Sequence, residues 1–130
     1  MTTLELAAQY RGYLACLNAQ HWSDLGRFVH DEVHYNGQRI GLDGYRAMLE
    51  ADFRAIPDLR FDPQVLLTEP PHVACRLWFD CTPVGNLFGH AVGGRRVRFG
   101  ENVFYRFEDG RIREVWSVID KAAVGEQLRA

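Results

Sequence analysis

The sequence predicts an α+β fold in which helices occupy the N-terminal half and an antiparallel sheet follows them. Apolar residues recur at helical spacing as far as Ile56, the period drops to two from Leu59 onward, and turn residues cut this second half into strands. Neither layer can hide its apolar side alone, so the helices must cover one face of a curved sheet.

Leu6, Tyr10, Tyr13, Leu14 and Leu17 fall at i, i+4, i+7, i+8 and i+11, which predicts a first helix over about residues 3–20. Ser23 can cap a second, short helix with Leu25, Phe28 and Val29 on one side, ending before His30-Asp31-Glu32. A strand through Val33 to Asn36 follows. Asp43 can cap a third helix whose buried side is Tyr45, Leu49, Phe53 and Ile56, and Pro57 ends it. The alternating half divides into strands of roughly 59–67, 73–82, 96–107 and 111–119. Glu69-Pro70-Pro71 separates the first two. Glu108-Asp109-Gly110 makes a tight hairpin between the last two, its glycine supplying positive φ.

The chain of 130 residues is expected to form one domain over 1–130, with 47% apolar and 25% charged residues giving an ordinary core. Fifteen basic against seventeen acidic side chains leave a net charge of −2, so nothing draws the protein toward nucleic acid. Cys16, Cys75 and Cys81 are odd in number and show no CxxC spacing, which argues against a disulfide framework or a zinc site. No apolar run is long enough to span a membrane, and the expected compartment is the cytoplasm.

Particular residues add to this pattern: Ile56-Pro57-Asp58-Leu59 at the helix-to-strand turn, Gly94-Arg95-Arg96-Val97-Arg98-Phe99 opening the long strand, and Tyr105-Arg106-Phe107-Glu108-Asp109-Gly110-Arg111-Ile112. Glu114, Trp116, Asp120 and the closing Gln127-Leu128 complete the set. Together they resemble the nuclear transport factor 2-like superfamily, of cystatin-like fold, and within it the SnoaL-like polyketide cyclase or ester cyclase family, over nearly the whole chain. The resemblance implies a cone-shaped, curved antiparallel sheet wrapped around the N-terminal helices and enclosing a pocket. It implies that Asp120, after the last strand, is the general acid and base, that no metal or organic cofactor takes part, and that two copies pair sheet to sheet. A carboxylate at the mouth of an apolar cone is partly desolvated, which raises its pKa and suits it to proton transfer. Where the family carries a histidine after the second strand of the meander, this chain has Cys81-Thr82-Pro83, and His90 is the candidate replacement. The segment Tyr13-Leu14-Ala15-Cys16-Leu17-Asn18-Ala19 also resembles the ketosteroid isomerases' helix bearing an oxyanion-binding tyrosine, which would be Tyr13. Arg76 resembles the arginine of limonene-type epoxide hydrolases, without their two aspartates.

Each candidate has a competing reading. Asp120 either moves protons or caps the terminal segment from Lys121 to Leu128. Two sets alternate on the last strand, Glu114, Trp116, Val118 and Asp120 against Val115, Ser117 and Ile119, and both are partly apolar. Glu101 falls in the apolar parity of Phe99, Val103, Tyr105 and Phe107, as a second carboxylate in the pocket or as the partner of Arg76 or another strand arginine. His34 and Asn36 share a parity and face either the pocket or solvent. Leu17, Phe53, Trp78, Tyr105 and Trp116 are core or pocket wall, which in a cone are the same residues.

The expected function is cofactor-independent acid–base chemistry on a small apolar carbonyl compound, polyketide- or ester-like, by isomerase or lyase steps. Asp120, His90 and Glu101 would act, and Tyr13, Leu17, His34, Asn36, Phe53, Arg76, Trp78, Tyr105 and Trp116 would bind. The alternatives are a non-catalytic binding or dimerisation module and an epoxide hydrolase, for which Glu101 would have to stand beside Arg76.

Overall fold

The computed structural model describes residues 1–129. Helix α1 spans Thr3–Ala19. It starts in a capping box, the Thr2 hydroxyl accepting from Glu5 N at 3.1 Å while Thr2 N donates to the Glu5 carboxylate at 2.9 Å. The chain leaves it through Gln20 in the left-handed region. The second helix is a 3-10 helix, Trp22–Arg27. Trp22, Leu25 and Phe28 recur every three residues, which aligns them on one side of a 3-10 turn but not of an α-helix.

Strand β1, Val29–Tyr35, begins before the expected Val33 and takes in His30-Asp31-Glu32. Polar residues are tolerated there because β1 lies next to the sheet edge, covered on its outer side only by the two-residue β2, Gln38–Arg39. Helix α2, Gly41–Ala55, starts from Gly41 at φ +67° without a side-chain cap. Asp43 is therefore not the cap; it lies in the first turn, where its charge favours the helix N-terminus. The remaining strands are β3, Asp62–Glu69; β4, His72–Cys81; β5, Asn86–Leu87; β6, His90–Ala91; β7, Val97–Glu108; and β8, Arg111–Ile119, followed by α3, Lys121–Leu128. Leu59 and Phe61 are buried but precede β3, because Leu59 N turns back to Ile56 O at 3.0 Å.

The main sheet runs β2-β1-β8-β7-β4-β3, and β5 and β6 form a separate hairpin. The expected α+β arrangement of N-terminal helices on an antiparallel sheet is present, with one exception to the pairing: β1 lies parallel to β8. Strict alternation on β4 and β7 turns Val73, Cys75, Leu77 and Phe79, and Phe99, Glu101, Val103 and Tyr105, toward the helices. Pairing of Val103 with Ser117 and of Glu101 with Ile119 brings Val115, Ser117 and Ile119 to the same inner face. Trp116 and Val118 therefore point outward, beside Phe104 and Asn102. Among the described residues no helix is long and apolar enough to cross a membrane.

Candidate active site

Two small voids lie between α2 and the inner face of the sheet. The inner one, about 110 Å³, is lined by Tyr35, Tyr45, Leu49, Leu77, Val115 and Tyr105 among others. The outer one, about 80 Å³, is lined by Leu59, Phe79, Phe99 and, from the β5–β6 hairpin, Leu87 and Phe88. Asp52, Phe61, Glu101 and Ile119 line both, so the two carboxyl side chains stand where the voids adjoin.

Glu101 reaches this position through the inward parity of β7. Ser117, one strand over on β8, donates its hydroxyl to Glu101 Oε2 in a short hydrogen bond. Burial pushes the Glu101 carboxyl above its ordinary range, the Ser117 bond pulls it down, and burial prevails. No cation offsets the charge among the described residues. Asp52 sits three residues after Leu49 and four before Ile56 on α2; it is an exposed residue that lines the rim of both voids. Burial first, and the charge of Glu101 second, push its carboxyl up to about 6. Two acids in one hollow thus resist ionising together.

Buried tyrosines back the carboxyls. The Tyr45 and Tyr13 hydroxyls lie 2.7 Å apart, and Tyr10 donates to the Tyr105 hydroxyl at 3.1 Å. Burial raises all four phenols, so they stay protonated and able to donate. Tyr45 and Tyr105 line the inner void, and their hydroxyls meet those of Tyr13 and Tyr10, which do not line it.

Of the residues singled out from the sequence, Glu101 and Tyr105 meet on the void walls. Asp120 does not. It follows Ile119, which takes the inward place, so Asp120 is exposed and its carboxylate caps α3, accepting from Ala123 N at 3.1 Å. His90 is exposed on β6 with its imidazole against Gly125 of α3. Leu17 is fully buried in the core, and Phe53 packs on Trp22 and Phe61 beside the voids rather than lining them. His34 Nδ1 accepts from Arg113 at 2.8 Å, away from the voids. Asn36, exposed at φ +48°, clamps the β8 backbone: its side chain accepts from Ser117 N at 2.8 Å and donates to Ser117 O at 3.3 Å.

Arg76, Trp78 and Trp116 belong to the outer face. Arg76 donates to Gln64 at 2.7 Å and to Asn102 at 3.1 Å and stacks on Trp78 at 5.6 Å. The ion pair between Arg76 and Glu101 is not formed, because the two residues alternate to opposite sides of the sheet. The acid-beside-arginine arrangement that an epoxide hydrolase would need is absent for the same reason.

Sequence reasoning missed Asp52, Tyr35 and the roof residues Leu87 and Phe88. For Asp52 a signal existed: it interrupts the stripe of Tyr45, Leu49 and Ile56 at helical spacing, on the face that must meet the sheet.

The model of the SnoaL-like polyketide cyclase family matches residues 7–128. A solved SnoaL-like polyketide cyclase from Agrobacterium tumefaciens is similar at 50% identity and a TM-score of 0.94, over 98% of this chain and 99% of that one. TsrD from Streptomyces laurentii, at 24% identity and a TM-score of 0.86 over 98% and 97%, shares the fold. So does AclR from Streptomyces galilaeus, at 22% identity and a TM-score of 0.81 over 98% of each chain. No curated protein sequence matches the chain. With nearly its whole length covered by the family model, the chain belongs to the SnoaL-like polyketide cyclase family.

Proposed function

We propose that the chain is an acid–base enzyme acting on a small carbonyl compound between α2 and the sheet, with Glu101 as the proton acceptor. The observation that carries this reading is a carboxyl side chain in an apolar hollow, held by Ser117 and offset by no cation among the described residues. Such a group keeps its proton to higher pH than an ordinary glutamate, and a base of raised pKa drives proton abstraction better.

In the proposed reaction Glu101 takes a proton from the carbon next to the substrate carbonyl. The C–H electron pair moves toward the carbonyl oxygen, and Tyr45 or Tyr105 donates a hydrogen bond to the developing oxyanion. Asp52 near its midpoint exists in both forms at mildly acidic to neutral pH and can return a proton, to another carbon in isomerisation or to a new alkoxide in aldol cyclisation. The role that the family resemblance assigns to Asp120 thus passes to Glu101 and Asp52.

The experiment is exchange of the α-protons of cyclohexanone in deuterium oxide, followed by NMR. The native protein is expected to accelerate exchange, and Glu101→Gln, close to isosteric, to lose roughly 10²–10⁴-fold of that acceleration. Equal exchange with and without native protein would remove the proton-transfer reading and leave a binding module.

A further inference from the structure

The reading of Glu101 and Asp52 as acid and base leaves open what they act on, and the shape of the hollow narrows it. A cavity of roughly 150 Å³ takes one benzene ring. The inner void, about 110 Å³, and the outer, about 80 Å³, each fall short of that. Adjoining through shared walls, they accommodate one ring with a short arm and exclude a fused multi-ring skeleton. The two differ in chemistry. Beyond the shared carboxyls, the inner void offers the hydroxyl-bearing Tyr35, Tyr45 and Tyr105, whereas the outer offers the hydrocarbon of Leu59, Phe79, Leu87, Phe88 and Phe99.

We infer that the substrate class is a single-ring amphiphile that enters polar end first, its oxygen among the inner tyrosines and its apolar arm under the β5–β6 hairpin. The opposite orientation would press hydrocarbon on the tyrosine hydroxyls and leave the oxygen without donors. The hairpin is the removable wall. Its strands pair only with each other, and the Phe88 ring meets the Phe99 ring edge-on at 5.6 Å with the Lys121 ammonium 5.4 Å over the Phe88 ring. Phe88 therefore sets the arm length that fits.

The inference rests on the proposed reaction only for the identity of the polar end, and binding tests it without turnover. The probes are para-cresol, para-butylphenol and a four-ring steroidal phenol, whose hydroxyl stands in for an enol, titrated calorimetrically into native protein and Phe88→Ala. Native protein is expected to bind para-cresol and to bind para-butylphenol and the steroid at least about tenfold more weakly; Phe88→Ala is expected to reverse the order of the first two. The same titrations followed by NMR should shift Tyr45 and Tyr105 ring signals on para-cresol binding. A native protein that prefers the steroid, binds none of the three, or shifts no inner tyrosine overturns the inference, whatever the exchange assay gives. Size-selective para-cresol binding without any proton exchange would keep the substrate class and reject the reaction.

Discussion

Ser117 on β8 donates a hydrogen bond from its hydroxyl to the carboxylate of Glu101 on the adjacent β7, while Asn36 grips the Ser117 backbone from just past the end of β1. The bond favours the ionised form of an acid that burial shifts toward the protonated one. Ser117→Ala is therefore expected to raise the Glu101 midpoint further and move the acid limb of the pH–rate profile upward. Ser117→Thr, which keeps the hydroxyl on a strand-forming residue, is expected to restore it. Identical profiles for the native, Ala and Thr proteins would detach Ser117 from the chemistry.

Asp52 holds its proton to about 6 in the folded chain, against 3.8 for the ordinary group. The folded state thus binds the proton more tightly than the unfolded state, so stability falls as pH rises through this window and levels off above it. Asp52→Asn removes the titration. Thermal melts should show the variant gaining on the native protein from about pH 4 to pH 7, with the gain constant at higher pH. A difference independent of pH would mean that the carboxyl is as well hydrated as in the unfolded chain.

Asp120 caps α3, so its two simplest replacements should part company. Asp120→Asn retains a capping oxygen and is expected to leave stability and proton exchange unchanged. Asp120→Ala loses the cap and should cost about 1 kcal/mol in denaturant unfolding. Loss of exchange activity in Asp120→Asn, with stability intact, would return the catalytic role to this residue.

The outer face of the sheet bears Val65, Leu67, Phe104, Trp116 and Val118, each at least 40% exposed. An apolar patch spread over three strands favours pairing with a matching surface, and we propose that two copies meet there. Light scattering is expected to give a dimer for the native chain and a monomer for Phe104→Asp. A native monomer at high concentration would refute the pairing.

The parts legible in the sequence are those where one physical demand acts on each side chain. On β7 one face is buried and the other open, so alternation put Glu101 and Tyr105 on the apolar side, while whether Glu101 paired with an arginine stayed open. On β8 the outer face is itself apolar through Trp116 and Val118, and hydrophobicity alone could not choose between the two parities. The same uncertainty carried past the strand end to Asp120, whose direction depends on its serving as the N-cap of α3, which starts at Lys121. Asp52 stayed hidden because an acid on a helix reads as solvated unless the neighbouring sheet is known. The β5–β6 hairpin was invisible because two-residue strands contain no period to detect.

Central to all of this is the half-buried carboxyl of Glu101, with no cation against it among the described residues. A carboxyl-carbon NMR titration of glutamate-labelled protein measures it directly, with Glu101→Gln assigning the resonance. A midpoint clearly above the ordinary glutamate value of about 4.3, rising further in Ser117→Ala, is the predicted result. A midpoint at or below that value would mean the side chain is hydrated or paired, and would contradict its role as the base.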